Sequence, residues 1–211
     1  MKNTVKILAL AAAAVFAFAS CETYKVAEPD MTAISNVDGK YVAFAYENGA
    51  SDPSTLFGIV ITNNTNNDAD KGWMTITDMS PYIYGSYYYL DAVRFEISID
   101  TKAQTFSANA VSATEPRTAW NPYLEGWYGS YGGYYTGGYI YGYSNYTITL
   151  SGKVTSNGVK TANGTADAIE FTYSRTYPDG QTKNYTVSGM VKTGWLEDVQ
   201  EYEDFINENW M

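Results

Sequence analysis

Apolar side chains recur every second residue along much of this chain, and that two-residue period constrains its fold more than any other feature. Val93, Phe95, Ile97 and Ile99 alternate with Arg94, Glu96, Ser98 and Asp100. Tyr146, Ile148, Leu150, Gly152 and Val154 alternate in the same way with Thr147, Thr149, Ser151, Lys153 and Thr155. Neighbouring side chains on a strand point to opposite faces, so each run describes a strand with one buried face. Similar runs at 40–47, 55–63, 72–78, 104–111, 166–176 and 183–192 bring the expected strands to eight. Turn chemistry at Asp100-Thr101-Lys102, Asn157-Gly158, Asn163-Gly164 and Pro178-Asp179-Gly180 separates several of them. Connections this short favour antiparallel neighbours, which predicts an all-β, antiparallel, up-and-down barrel of about eight strands. Val93, Phe95, Ile97, Tyr146, Ile148, Leu150, Phe171 and Tyr185 are its expected core. Alternation puts the same face inward whether the barrel is filled or hollow. The period changes at Leu196, Val199, Tyr202 and Ile206, whose spacings of three and four predict a C-terminal amphipathic helix over 196–210, packed on the outside.

The N-terminus has a different design. Lys2 and Lys6 precede an apolar stretch, Ile7 to Phe18, which ends in the small residues Ala19-Ser20. That stretch is too short to cross a bilayer and reads as an export signal over 1–20. Phe18-Ala19-Ser20-Cys21 resembles a lipobox, which makes Cys21 the expected site of lipidation. Residues 21–36, with Pro29 and no apolar period, read as a lipidated tether, and 37–211 as a single barrel domain. The expected location is the outer membrane, on its periplasmic or cell-surface face, with the acyl anchor as the membrane contact. Cys21 is the sole cysteine, so no internal disulfide supports the fold.

Charge and composition exclude several functions. The chain carries 13 Lys+Arg against 23 Asp+Glu, a net charge of −10, and two of those lysines lie in the leader. No basic stripe exists to neutralise phosphates, so a nucleic-acid partner is not expected. There is no histidine, which removes Ser-His-Asp and Cys-His machinery and the usual zinc sites. Asn64, Asn66, Asp68 and Asp70 alternate before Gly72, a spacing that could wrap calcium, but the distal bidentate Glu is missing. A solvated hairpin turn accounts better for those residues. The acids at Glu197, Asp198, Glu201, Glu203 and Asp204 read as a solvated helix face. No enzyme activity, metal or cofactor is expected.

Two aromatic stretches stand apart from the strand pattern. One holds Tyr82, Tyr84, Tyr87, Tyr88 and Tyr89. The other, Trp120 to Tyr143 within a loop insertion over 119–143, is almost entirely Tyr, Gly and Trp. Tyr and Trp join a rigid apolar face to a polar tip. Tyr82, Tyr84, Tyr87, Tyr89, Trp120, Trp127, Tyr131, Tyr135 and Tyr139 are therefore the candidate ligand-binding residues. They could line the mouth of an apolar cavity or form a stacking platform for sugar rings. They could equally pack on themselves over one barrel end.

Gly58 to Asp78 reads GIVITNNTNNDADKGWMTITD, an apolar strand, an Asn-Thr turn, a polar loop and a Trp-containing strand. This stretch resembles a family of lipid-binding lipoproteins of Bacteroidetes, as does the hairpin AVRFEISIDTKAQTFSAN from Ala92 to Asn109. Gly39-Lys40-Tyr41 resembles the Gly-x-Trp start of lipocalins, with Tyr in place of Trp. The resemblance implies a calycin-like, lipocalin-like barrel with a lipid ligand. The family label also carries the word hydrolase, but no catalytic residue of the family maps onto a position here. The expected function is binding of a lipid or other hydrophobic small molecule in the barrel. The alternative is a glycan-binding or accessory surface lipoprotein that uses the Tyr/Trp-rich loop. A docking role with a protein partner follows, and hydrolysis comes last.

Overall fold

A computed structural model describes residues 31–79, 82–84, 87–113, 119–125, 136–142 and 146–210; for 82–84, 87–91, 119–125, 136–142 and 210 the backbone alone is described. Among the described residues there are eleven strands: β1 (Gly39–Glu47), β2 (Thr55–Asn63), β3 (Lys71–Asp78), β4 (Tyr82–Tyr84), β5 (Tyr87–Asp100), β6 (Thr105–Ser112), β7 (Ala119–Glu125), β8 (Thr136–Gly142), β9 (Thr147–Thr161), β10 (Gly164–Thr176) and β11 (Thr182–Val191). One α-helix, α1 (Gln200–Trp210), follows them.

Eight strands form the barrel. In the order β1-β2-β3-β5-β6-β9-β10-β11 each pairs antiparallel with the next, and β11 returns to pair with β1. The sheet therefore closes in an up-and-down meander, which leaves its main ring without an open edge. Each of the eight alternating runs in the sequence lies on one of these strands.

All eight expected core residues are buried in one cluster. Rings meet across it: Phe106 and Phe171 at 5.8 Å, Phe57 and Tyr173 at 5.9 Å. Gly152 leaves room for that first pair, since a Cβ there would lie 2.2 Å from Phe171 Cβ and 2.9 Å from Phe106 Cζ. The β1–β11 seam is equally tight. A Cβ on Gly189, which pairs with Ala43, would lie 2.0 Å from the Val42 carbonyl oxygen.

The two barrel ends differ. At one end the short turns 64–70, 101–104 and 162–163 meet the chain's approach to β1. There the turn 32–38 folds inward: Ile34 and Val37 are fully buried in the core, and Val37 N–H donates to the Ile34 carbonyl at 2.8 Å. The Tyr41 hydroxyl donates to the Val37 carbonyl at 2.8 Å, and Gln104 Nε2 donates to the Asn36 carbonyl at 3.1 Å. Burial pushes the Tyr41 phenol well above its ordinary value, helped by Asp167 and Asp38, so the hydroxyl keeps the proton that it donates. The turn acts as a plug. The expected tether at 21–36 thus ends earlier, because Ile34 belongs to the barrel. The opposite end carries the loops 48–54 and 177–181 and both excursions, β4 and β7–β8.

Other expectations also shift. Asn157-Gly158 is not a turn. It lies inside β9 as a bulge opposite Asp167, with Asn157 at φ 54°, and the chain reverses at 162–163 instead. Asp167 stabilises the bulge by accepting from Asn157 N–H at 2.8 Å, and Thr165 Oγ1 donates to Asn157 Oδ1 at 2.7 Å. The expected loop at 119–143 contains the strands β7 and β8. The expected helix at 196–210 begins with a 3₁₀ turn, Leu196–Asp198, and Leu196 is 55% exposed rather than packed. Asp198 sets that entry: it accepts from Thr193 Oγ1 at 2.8 Å and from Asn163 N and Nδ2 at 3.2 Å each. From Val199 onward the helical phase holds, and Tyr202 stacks on Phe44 of β1 at 4.6 Å, with Phe205 edge-on to the same ring at 5.4 Å.

Gly189→Ala should destabilise the protein by about 1–3 kcal/mol in urea unfolding, as overpacking does. Gly194→Ala, where nothing lies within 4 Å of the added atom, should stay within about 0.5 kcal/mol. Desolvation raises the Asp198 carboxyl, but hydrogen bonds from Thr193, Asn163 and Thr161 outweigh it and hold that carboxyl below the usual range. Its stabilising contribution is therefore complete above the unfolded value of about 3.9 and is lost as pH falls through the lower folded value. Asp198→Asn should flatten the acid limb of Tm against pH.

Candidate functional site

The unplugged end holds an unusual cluster. Along β10 the inward phase runs Ile169, Phe171, Tyr173 and then Arg175, so a cation takes the last apolar position before the mouth. Arg175 is only 7% exposed. Its guanidinium lies 5.0 Å from the ring of Tyr146 and 5.0 Å from that of Tyr177. These two rings meet edge to face at 4.9 Å. Arg175 Nη2 donates to the Tyr177 hydroxyl at 2.7 Å. Buried charges persist only with acceptors and polarisable surroundings, and each ring face contributes about 0.5–2 kcal/mol.

Local sequence explains why these side chains meet. Tyr146 precedes β9 and Tyr177 follows β10, two strands that pair as neighbours. The turn after β10 is a tight one: Gly180 N–H donates to the Tyr177 carbonyl at 2.9 Å, and Tyr177 N–H to the Gln181 carbonyl at 2.8 Å. Gly180 adopts φ 86°, which glycine reaches without strain, and Asp179 Oδ1 accepts from Gln181 N–H at 3.0 Å. The Pro178-Asp179-Gly180 signal therefore fixes the position of Tyr177 over Arg175.

Further inside, Tyr185 stacks with Tyr173 at 5.9 Å and meets Phe57 edge-on at 5.3 Å. Burial pushes the Tyr185 phenol above its ordinary value; the Arg175 charge opposes this, while Glu47, Asp78 and Tyr177 add to it. On the opposite wall Thr55 Oγ1 donates to Asp78 Oδ1 at 2.6 Å and ties the start of β2 to the end of β3. The mouth thus joins one buried cation, several phenols and an apolar floor.

The excursion strands stand beside this mouth. One edge of β5 pairs with β3; its other edge pairs with β6 only at Ser98–Asp100 and with β8, in parallel, at Leu90–Ala92. The β7–β8 hairpin therefore takes the place along β5 that β6 would otherwise occupy. In backbone register Tyr82 lies opposite Tyr89, Tyr84 opposite Tyr87, and Trp120 opposite Tyr139. The two aromatic stretches, distant in sequence, thereby join one run of strands, β4-β5-β8-β7. Trp127, Tyr131 and Tyr135 lie outside the described residues, as does Cys21.

Asn64 and Asp68 bond each other. Asn64 Nδ2 donates to Asp68 Oδ2 at 2.8 Å, and Asp68 N–H to Asn64 Oδ1 at 3.0 Å, the geometry of a side-chain-stabilised turn. A separate open cleft of about 360 Å³ lies on the outer wall over β9, β10 and β11, lined by Thr149, Ser151, Thr172, Ser174 and Thr186.

Sequence reading missed Arg175, Tyr177 and the plug residues Ile34 and Val37. A charged residue on the apolar phase of an otherwise regular strand was the available signal for Arg175.

A family described as "Lipid-binding putative hydrolase" matches residues 26–196. The chain belongs to this family. Its lipid-binding resemblance thus extends over the whole barrel, well beyond the two hairpins that first carried it. No curated protein matches the chain. Among solved structures, it is similar to a structural-genomics protein of unknown function from Bacteroides ovatus. The identity is 14% and the TM-score 0.36, over 74% of this chain and 42% of that one. The chain therefore spans less than half the length of that protein.

Tyr177→Phe keeps the ring over Arg175 but removes a hydrogen-bond acceptor from a charged donor. A loss of about 1–3 kcal/mol is expected in urea unfolding.

Proposed function

We propose that this protein is a lipid-anchored envelope protein that holds a lipid or other hydrophobic small molecule at the unplugged end of its barrel. Membership of the lipid-binding family carries the reading. The inequality of the two ends supports this position: Ile34 and Val37 are buried at one, while the other carries the Arg175 cluster and the strands of both aromatic stretches. The lipobox-like Phe18-Ala19-Ser20-Cys21 supports an acyl anchor and an outer-membrane location. Binding rather than hydrolysis is proposed because the chain has no histidine to act as a general base. Aromatic and aliphatic walls with few polar groups are what small apolar ligands require.

The full chain carrying Cys21→Ser should leave the membrane fraction that the wild type occupies. Solvent extraction of the purified Cys21→Ser protein, followed by mass spectrometry, should recover a stoichiometric lipid. A protein that yields none and also rejects added fatty acids and phospholipids would overturn the binding reading. Retention of polysaccharide instead would move the function to the aromatic strands.

A further inference from the structure

We infer that the exposed pair Trp195–Leu196 enters the headgroup layer of the bilayer that holds the acyl anchor, so that the plugged end of the barrel faces the membrane. This rests on the lipid-anchored reading above and goes beyond it by giving the barrel an orientation. Among the described residues from Thr32 onward, Trp195 and Leu196 are the only large hydrophobic side chains left exposed, at 61% and 55%. They are neighbours on the connection between β11 and α1. Their backbone is pinned. Trp195 N–H donates to Thr193 Oγ1 at 3.4 Å, Asp198 N–H to the Trp195 carbonyl at 3.3 Å, and Val199 N–H to the Leu196 carbonyl at 3.1 Å. Asp198, itself buried, ties this turn to Thr193 and Asn163. A single exposed apolar side chain is ordinary on a protein surface, whereas two adjacent ones on a fixed turn form a patch.

The place of the pair decides what it meets. Lys192 N–H donates to the Lys40 carbonyl at 2.7 Å, which sets the end of β11 beside the start of β1. Asn163 lies in the turn between β9 and β10. Both mark the plugged end. The chain also enters the barrel there, because Ala33 N–H donates at 2.8 Å to Asn67 Oδ1, in the turn between β2 and β3. Even fully extended, the stretch from Cys21 to Thr32 spans at most about 40 Å. An acyl group on Cys21 therefore keeps the plugged end close to the bilayer, where a weak insertion becomes an intramolecular step at high effective concentration. Trp joins an apolar ring to a polar N–H, which suits the headgroup layer, and Leu adds purely apolar area. Charge does not drive the contact, since the chain has a net charge of −10 and Glu197 adjoins the pair. An electrically neutral phospholipid surface is the partner that this chemistry fits. The mouth with Arg175 and the aromatic strands then opens away from the bilayer.

Cys21 is the sole cysteine, and in the anchored protein its sulfur carries the lipid, so an introduced thiol can be labelled by itself. The anchored full chain takes an environment-sensitive fluorophore through Gly194→Cys, beside the pair, or through Ser51→Cys, in the loop at the opposite end. Both positions are exposed, and nothing lies within 4 Å of a Cβ at Gly194. Each protein is reconstituted into phosphatidylcholine vesicles with and without nitroxide-labelled lipid. The Gly194→Cys label should be quenched at least about twofold more than the Ser51→Cys label, because interfacial side chains sit about 5–10 Å into the headgroup layer. High salt should leave the difference unchanged. Adding Trp195→Ser and Leu196→Ser should erase it, and an undiminished difference would overturn the role given to the pair. Quenching of the Ser51→Cys label equal to or above the other would overturn the orientation while leaving the anchor in place. A Gly194→Cys label shielded from water but not quenched by nitroxide would assign the pair to a second copy or another protein, and would overturn the membrane contact. A wild type whose membrane fraction does not depend on Cys21 would overturn the anchored reading itself.

Discussion

The pairing of β1 with β11 is the constraint on which the remaining structure depends. It joins the first barrel strand to the last, across most of the chain, and turns an open meander into a ring. Closure satisfies the backbone donors and acceptors of two strands that would otherwise be edges. It also creates an enclosed interior for the alternating apolar faces to fill. Gly189 sits opposite Ala43 at this seam, where even a methyl group would meet the Val42 carbonyl. Small residues let the two backbones approach closely, and α1 covers the outer side of the same strands through Val42, Phe44 and Met190.

Once the ring closes, its two ends become chemically different, and the difference arises from chain connectivity. The chain enters through one end, and its last turn before β1 leaves Ile34 and Val37 inside as a plug. The opposite end receives every long connection. The β7–β8 hairpin wedges along β5 where β6 departs, so the wall there is made of inserted strands rather than the regular meander.

Arg175 sets a buried cation on the inward phase of β10, next to the mouth. The rings of Tyr146 and Tyr177 wall this cation on two sides. Tyr173, Tyr185 and Phe57 form the apolar floor beneath it.

Period-two alternation, a local property, was enough to define the eight barrel strands, their antiparallel order and the inward faces. Each strand's buried face is written in its own residues, as at Val93, Phe95 and Ile97. The Pro178-Asp179-Gly180 turn was legible for the same reason. Asn157-Gly158 misled because the same dipeptide serves a bulge when a partner such as Asp167 is supplied from the next strand. Leu196 misled because the helix phase is set by Asp198 bonding to Thr193 and Asn163, one of them distant in sequence. Only the tertiary structure decided that Ile34 plugs one end, that Tyr146 and Tyr177 bracket Arg175, and that two aromatic stretches share one run of strands. Those facts depend on which residues closure brings together, and contact across a closed sheet leaves no periodic trace in the sequence. The chain alone determined that it would make a barrel, while the folded ring decided which side chains meet at each of its ends.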